Sequence, residues 1–134
     1  MGIRAVRRKH RHRGVDDRGA VAVEALIVFP ILLVLTVGII EFGFVFNTQI
    51  SLSQAAREGV RVGAIGDDLT SGNMVSRFGQ AYTGLGDPTV TATPCQAGDT
   101  DGDAELEAIL AFTAPISNFG PFDLSARAVM RCGG

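Results

Sequence analysis

The chain has 134 residues, of which 46% are hydrophobic and 19% are charged, and its formal net charge is −2. So short a chain leaves little protein to surround a long apolar helix, which argues against a soluble domain built around one. The small net charge conceals an asymmetry along the chain. Residues 1–19 hold seven of the twelve basic residues, whereas residues 47–134 contain ten acidic residues and five arginines. The composition therefore indicates a chain of unlike parts rather than one uniform globule.

An apolar run follows the basic N-terminus directly. Residues 20–40 contain a single charge, Glu24, and a helix of that length is about 31 Å long, which matches the hydrocarbon thickness of a bilayer. We therefore predict a membrane-spanning helix over about residues 20–42. Because the basic leader, residues 1–19, is short and adjoins the span, the positive-inside rule keeps it in the cytoplasm. The prediction is a single-pass protein of the plasma membrane with its C-terminal part outside.

Two other interpretations of the N-terminus fit less well. An arginine-rich arm could bind nucleic acid, but nothing beyond it resembles a nucleic-acid module, so no nucleic-acid partner is expected. A secretory signal peptide also places a basic region before an apolar one. The apolar run here is longer than usual, lacks an A-x-A-like site after it, and continues as a helix.

Glu24 lies inside the predicted span. An ionisable residue there usually has a partner or a function. The alternative is a carboxylate that reaches the headgroups or is protonated. The residues alone leave both interpretations open.

Past the span the helical pattern continues to residue 66, so one helix is predicted over residues 20–66, amphipathic in its second half. Polar residues at positions 47, 49, 51, 53, 54, 57, 58 and 61 occupy much of one face. The other face carries a predicted apolar stripe made of Phe42, Val45, Phe46, Ile50, Leu52, Ala55, Ala56, Val60, Gly63 and Ala64. This stripe must be buried against residues 67–134.

Residues 67–134 supply that partner. A short helix is predicted over residues 74–82, and three strands over residues 89–93, 105–113 and 124–132. The alternation in the last two places Leu106, Ala108, Leu110 and Phe112, and then Leu124, Ala126, Ala128 and Met130, on one face each. One buried and one solvated face is typical of a small antiparallel sheet covered by a helix. The predicted fold class is α+β.

Cys95 and Cys132 follow the first and third strands, and in an up-down-up meander those two ends lie on the same side. With the second strand central, the outer strands are about 9–10 Å apart, so the ends must lean together for a disulfide to form. The oxidising side of the membrane favours the bond. Two unrelated free thiols are the alternative.

Catalytic residues are hard to find, and we expect no enzyme and no cofactor. The only histidines, His10 and His12, lie in the leader, and no nucleophile motif or phosphate-binding loop occurs. Asp99, Asp101 and Asp103 open like a calcium loop, but position six is Ala104 and position twelve is Leu110. A solvated acidic turn explains them better, so no metal site is predicted.

At this point the chain resembles the TadE-like proteins of bacterial tight-adherence (Tad/Flp) pilus systems. The resemblance depends on four blocks in this order: residues 18–24 (RGAVAVE), Phe29-Pro30, residues 41–43 (EFG) and residues 55–61 (AAREGVR). It implies a pseudopilin-like, single-pass component of a pilus or secretion machine. The implied partners are other pilus or pseudopilin subunits, membrane assembly proteins and membrane lipid.

The resemblance also implies processing of the leader. Type IV prepilin-like proteins carry a basic leader ending in glycine, which a prepilin-type peptidase removes, and a glutamate at the fifth mature position. Here Gly19 would end the leader, Ala20 would become the first residue, and Glu24 is the fifth. We therefore expect a minor pilin-like subunit or assembly factor. The alternative is an uncleaved, membrane-anchored adaptor that binds a secreted or envelope partner.

Overall fold

The computed structural model describes residues 16–65 and 69–133. Its elements, in chain order, are α1 (Asp16–Ile65), α2 (Ser71–Ala81), β1 (Thr89–Thr93), β2 (Asp103–Phe112) and β3 (Phe122–Arg131). The predicted α+β class, with one long apolar helix and a three-stranded antiparallel sheet, is confirmed. The leader up to residue 15 and the predicted helix stop at residues 66–68 lie outside the described residues.

The chain divides into two compact units, Met1–Thr36 and Val37–Gly134. The described part of the first unit is the beginning of α1, in which every residue from Gly19 to Thr36 is exposed. The second unit contains the remainder of α1, together with α2 and the sheet. Among the described residues, one helix, Gly19–Ile65, is long and apolar enough to cross a membrane, and its most apolar window has a mean hydropathy of 2.7.

Helix α1 has 50 residues and begins at Asp16, four residues before the start expected at Ala20. Gly19 does not end it, because a glycine inside a helix costs only about 1 kcal/mol relative to alanine. At the other end the carbonyl of Gly63 has no partner within the helix. It accepts a hydrogen bond from the Cys95 N–H (3.0 Å), so the chain after β1 covers the C-terminal end of α1.

The sheet has the order β1-β2-β3 with antiparallel pairing throughout, as the meander prediction requires. Glu107 marks the register, since it lies opposite Thr91 of β1 and Arg127 of β3. The alternation also agrees with the prediction. Inward residues of β2 (Ala104, Leu106, Ala108, Leu110 and Phe112) are buried, as are Ala126 and Ala128 of β3.

The core lies between α1, α2 and the inner face of the sheet, and small residues of α1 allow the close approach. A Cβ on Gly59 would lie 2.5 Å from Leu106 Cδ1 and 3.0 Å from the Met74 carbonyl oxygen. A Cβ on Gly63 would overlap the Met74 side chain. Ala55 and Ala56 are fully buried beside them. The AAREGVR block therefore provides the surface on which α2 and β2 pack.

The predicted apolar stripe of α1 is correct only in its second part. Leu52, Ala55, Ala56, Val60, Gly63 and Ala64 are buried, whereas Phe42, Phe46 and Ile50 are more than half exposed. Thr48 and Ser51 are buried instead, although Ser51 was assigned to the solvated face. Their hydroxyls accept backbone N–H groups of the connection between α2 and β1, from Leu85 (3.4 Å) and Thr83 (2.8 Å) respectively. A small hydrogen-bonded side chain fits under that connection, where a phenylalanine would not.

Helix α2 begins three residues earlier than predicted. Thr70 caps it, since its hydroxyl accepts the N–H of Asn73 (3.4 Å). Threonine is a common residue at this position, so this start signal was present in the sequence. Met74 and Phe78 of α2 are buried in the core.

Candidate assembly and anchoring site

The three residues predicted to serve processing and assembly lie on the first unit's helix. Gly19, Ala20 and Glu24 are all exposed there. Ala20 and Glu24 stand at i and i+4, so they share one face with a rise of about 6 Å between them. The Gly19–Ala20 peptide lies inside α1 rather than in an extended segment. Cutting this bond would require the first turn of the helix to unwind.

The apolar surface of this helix has no cover within the described chain. Its large apolar side chains between Val21 and Leu35 are 43% to 74% exposed. Monomeric soluble proteins rarely expose a contiguous apolar surface of this extent, and such surfaces mark a membrane or protein contact. By length and composition this part of α1 could span a membrane.

Glu41 forms a carboxylate clip between α1 and the β2–β3 loop (residues 113–121). Its Oε1 accepts the backbone N–H groups of Ile116 (3.1 Å) and Ser117 (2.5 Å), and its Oε2 accepts the Ser117 hydroxyl (2.8 Å). Three donors on one carboxylate satisfy most of its hydrogen-bonding capacity. The contact joins residues 75 and 76 positions apart in the sequence. It holds the loop beside α1 where the predicted span ends.

An apolar cleft lies next to this clip. Gly38, Phe42 and Val45 of α1 line one side, and Ala114, Phe119 and Phe122 line the other. Its volume is about 430 Å³, and Glu41 and Ser117 supply its polar lining. We call it the exit cleft. Gly38 has nothing within 4 Å of the position its Cβ would take, so a small side chain would fit at this position.

The clip was missed in the sequence. Glu41 stood out there only as part of the EFG block at the end of the span. A glutamate at such a boundary can simply face water, and nothing nearby in the sequence indicates that its partners are residues 116 and 117. Only the return of the chain from β2 brings these groups together.

The two cysteines form the predicted disulfide, with Cα atoms 5.8 Å apart and a sequence separation of 37. Cys95 lies two residues beyond β1 and Cys132 one residue beyond β3, so the strand ends lean together as expected. Both are buried. The bond closes a long loop across the central strand, which stabilises by about 3–4 kcal/mol in chain-entropy terms.

The acidic residues after Cys95 form a turn. Asp99 Oδ1 accepts the N–H groups of Asp101 (3.1 Å) and Gly102 (2.9 Å), which is the hydrogen bonding of an Asx turn. Within residues 16–65 and 69–133, no group of three or more His, Cys, Asp or Glu side chains is placed to hold a metal ion. The carboxylate of Asp99 thus organises the chain's own backbone.

One exposed ion pair connects the two helices of the second unit. Arg77 of α2 donates to Glu58 Oε1 from Nε (3.1 Å) and Nη2 (2.7 Å). These hydrogen bonds, with the charge of Arg77, lower the pKa of the Glu58 carboxyl from its ordinary value. Glu58 was expected to stand with Arg61 on a solvated face, but its direct partner is on the neighbouring helix.

The comparison with known protein families concerns helix α1. The model of the family described as TadE-like protein matches residues 19–61. No curated protein and no solved structure matches the chain significantly. The matched segment runs from Gly19 through Glu41 to the AAREGVR block, so it covers the exposed apolar helix, the clip carboxylate and the glycine that α2 contacts. Residues 19–61 are thus a TadE-like segment, which confirms the resemblance and suggests involvement in Tad pilus assembly.

Proposed function

We propose that the protein is a minor pilin-like subunit, or pseudopilin, or an assembly factor of a Tad/Flp-type pilus or secretion machine. The observation that carries this proposal is the exposed apolar helix of residues 19–36, which finds no cover within the described chain. Such a helix can be surrounded by lipid before assembly and by equivalent helices afterwards. The role is structural, in keeping with a family concerned with assembly rather than catalysis.

The first residues of the TadE-like segment support leader processing. If a prepilin-type peptidase cuts after Gly19, Ala20 acquires an α-ammonium group, and Glu24 lies one helical turn away. A carboxylate in an apolar environment is costly without a partner of opposite charge. The new ammonium of the same subunit or of its neighbour supplies that partner. Glu24 then stabilises a packed bundle of helices when the chains have been cut, because only a cut chain has the Ala20 ammonium group.

The second unit supports a role outside the cytoplasm. Its core is small, and a disulfide joins the ends of its outer strands, as in secreted domains that cannot build a large core. We place this unit on the extracytoplasmic side of the plasma membrane and the leader in the cytoplasm. The alternative function is an uncleaved adaptor, anchored by the same helix, whose second unit binds a secreted or envelope partner.

Mass spectrometry of the native N-terminus tests the proposal. A mature chain that starts at Ala20 supports the pilin-like role, whereas an intact leader in cells with an active prepilin-type peptidase supports the adaptor. Co-purification with pilus subunits after mild crosslinking is the second measurement. A cut chain found with no pilus or assembly protein would contradict the proposal.

The orientation has its own test. Thr91 is exposed on the outer face of the sheet, so a Thr91→Cys variant should react with a membrane-impermeant thiol reagent in intact cells. A Gly14→Cys variant, with the leader still attached, should react only after the cells are opened. The reverse pattern would overturn the orientation and, with it, the oxidising location of the disulfide.

A further inference from the structure

We propose that the β2–β3 loop is a second membrane contact, which inserts Ile116 and Phe119 into the lipid surface beside the end of the span. The inference rests on the proposed membrane anchoring of α1. It assigns a role to residues 113–121, which lie outside the TadE-like segment.

The first observation is the composition of the loop. From residue 111 to residue 122 there is no charged residue, although the chain on either side carries Glu107 and Asp123. Phe119 is 75% exposed and Ile116 is 54% exposed. Two large apolar side chains at the tip of an uncharged loop are unfavourable in water and favourable at the boundary of a bilayer.

The second observation is the level at which the loop is held. The Glu41 clip attaches residues 116 and 117 to α1, and the predicted span ends at about residue 42. Exposed apolar side chains of α1 surround the same level, namely Ile39, Ile40, Phe42, Phe44 and Phe46. The loop therefore adjoins the exposed apolar surface of α1 around residues 39–46 rather than forming an isolated patch.

The clip also removes an obstacle to insertion. A carboxylate near hydrocarbon is costly when its oxygens lack partners. Glu41 receives two backbone N–H groups and one hydroxyl from the loop. The same hydrogen bonds satisfy the loop's own amides of Ile116 and Ser117, which water would otherwise have to solvate.

The third observation is the polarity of the second unit along its length. In an antiparallel meander the β1–β2 turn and the β2–β3 loop lie at opposite ends of β2, which are about 30 Å apart for ten residues. The β1–β2 turn carries Asp99 and Asp101 and lies at the end where Cys95 contacts Gly63. The acidic end is thus held near the C-terminal end of α1, and the uncharged end near Glu41. Lipid suits the uncharged end and would repel the acidic one if the lipid is anionic.

The absence of tryptophan from the chain permits a direct test with single-tryptophan variants. The full chain is reconstituted into phosphatidylcholine vesicles, with or without lipid brominated on its acyl chains. Phe119→Trp reports the loop. Val129→Trp is the matched control, since Val129 is 52% exposed on the outer face of the sheet. Leu33→Trp reports the span itself.

The proposal expects Phe119→Trp to show blue-shifted emission, quenching by brominated lipid and protection from aqueous iodide. Val129→Trp should show the opposite in each respect. The lipid quenching of Phe119→Trp should persist when the protein is diluted with excess lipid. Releasing the loop with Glu41→Ala should weaken this quenching.

Three results would overturn it. If iodide quenches Phe119→Trp as strongly as Val129→Trp while brominated lipid still quenches Leu33→Trp, the loop lies in water and the membrane anchor stands. Protection of Phe119→Trp from both quenchers would mean that a protein surface, such as a second copy, covers the loop. If brominated lipid quenches neither Phe119→Trp nor Leu33→Trp, the membrane anchoring in the proposed function fails as well. Ile116→Trp repeats the measurement if Phe119→Trp loses its disulfide, which alkylation detects.

Discussion

Glu41 accepts both the backbone N–H and the hydroxyl of Ser117, at 2.5 and 2.8 Å, although the two residues are 76 positions apart. One carboxylate thus joins the helix that carries the predicted span to the loop between the two longest strands. Since a third donor comes from Ile116, three donors of the loop converge on a single side chain of α1.

Replacing this carboxylate should release the loop. In Glu41→Ala the amides of Ile116 and Ser117 lose their acceptor, so their hydrogen exchange in detergent micelles should become faster. The amides within β2 and β3 should keep their protection. Glu107→Ala, which removes an exposed carboxylate from the outer face of the same sheet, is the matched control. Equal exchange of Ile116 and Ser117 in Glu41→Ala and in Glu107→Ala would show that the clip does not hold the loop.

The contact of α2 with α1 should tolerate no side chain at Gly59. In Gly59→Ala the new Cβ would meet Leu106 at 2.5 Å and the Met74 carbonyl at 3.0 Å, and such overpacking costs about 1–3 kcal/mol. Gly79→Ala in α2 is the control, because nothing lies within 4 Å of that position. It should stabilise by about 0.5–1 kcal/mol, since alanine is the better helix residue. Chemical unfolding of the two variants measures the difference, and equal stabilities would contradict the close packing.

Loss of the disulfide should destabilise the second unit. Cys132→Ser should lower the free energy of unfolding by about 2–5 kcal/mol, the usual range for a small secreted domain. The double variant Cys95→Ser/Cys132→Ser should lose no more than either single variant, because all three remove the same bond. Alkylation of the wild type should label neither cysteine until a reductant is added. Labelling of both in freshly isolated membranes would exclude the bond in the cell.

The Glu58–Arg77 ion pair should make stability depend on pH in a defined direction. The pKa of Glu58 is lowered in the folded chain, chiefly by the hydrogen bond from Arg77. The contribution of the pair is therefore present above the ordinary pKa of 4.5 and is lost as the pH falls through the lower folded value. The difference in Tm between wild type and Glu58→Gln should shrink on acidification. A Tm difference that stays constant as the pH is lowered would contradict the pairing in solution.

Glu24 and Gly19 separate processing from assembly. Glu24→Gln should leave insertion and cutting intact but reduce association with pilus partners, because the Ala20 ammonium then faces only a neutral amide. Gly19→Leu should instead block cutting and leave a full-length chain in the membrane. Immunoblots of membrane and sheared pilus fractions distinguish the two. Wild-type assembly of Glu24→Gln would mean that the carboxylate is incidental.

Local patterns in the sequence were sufficient to predict the elements of this fold. The strand at residues 89–93 was predicted with its observed bounds, and the inward faces of β2 and β3 follow from strict alternation, because successive strand side chains point to opposite faces. The small residues of the AAREGVR block similarly marked the buried side of α1. The meander made the cysteine pairing possible, since both cysteines come after strands that run in the same direction, but it did not show that the strand ends lean together.

The tertiary structure decided which groups separated in sequence meet. Ser51 looked like a surface residue of a helix, but the connection after α2 passes over it and over Thr48, and the hydroxyls of both residues accept hydrogen bonds from the amides of that connection. Phe42 and Phe46 looked like core residues, but the sheet covers only the later turns of α1. Glu41 acquired its partners because β2 carries the chain back along α1 to the level of Glu41. Periodicity reports which face of an element a residue occupies, whereas what covers that face depends on contacts between residues far apart in the chain.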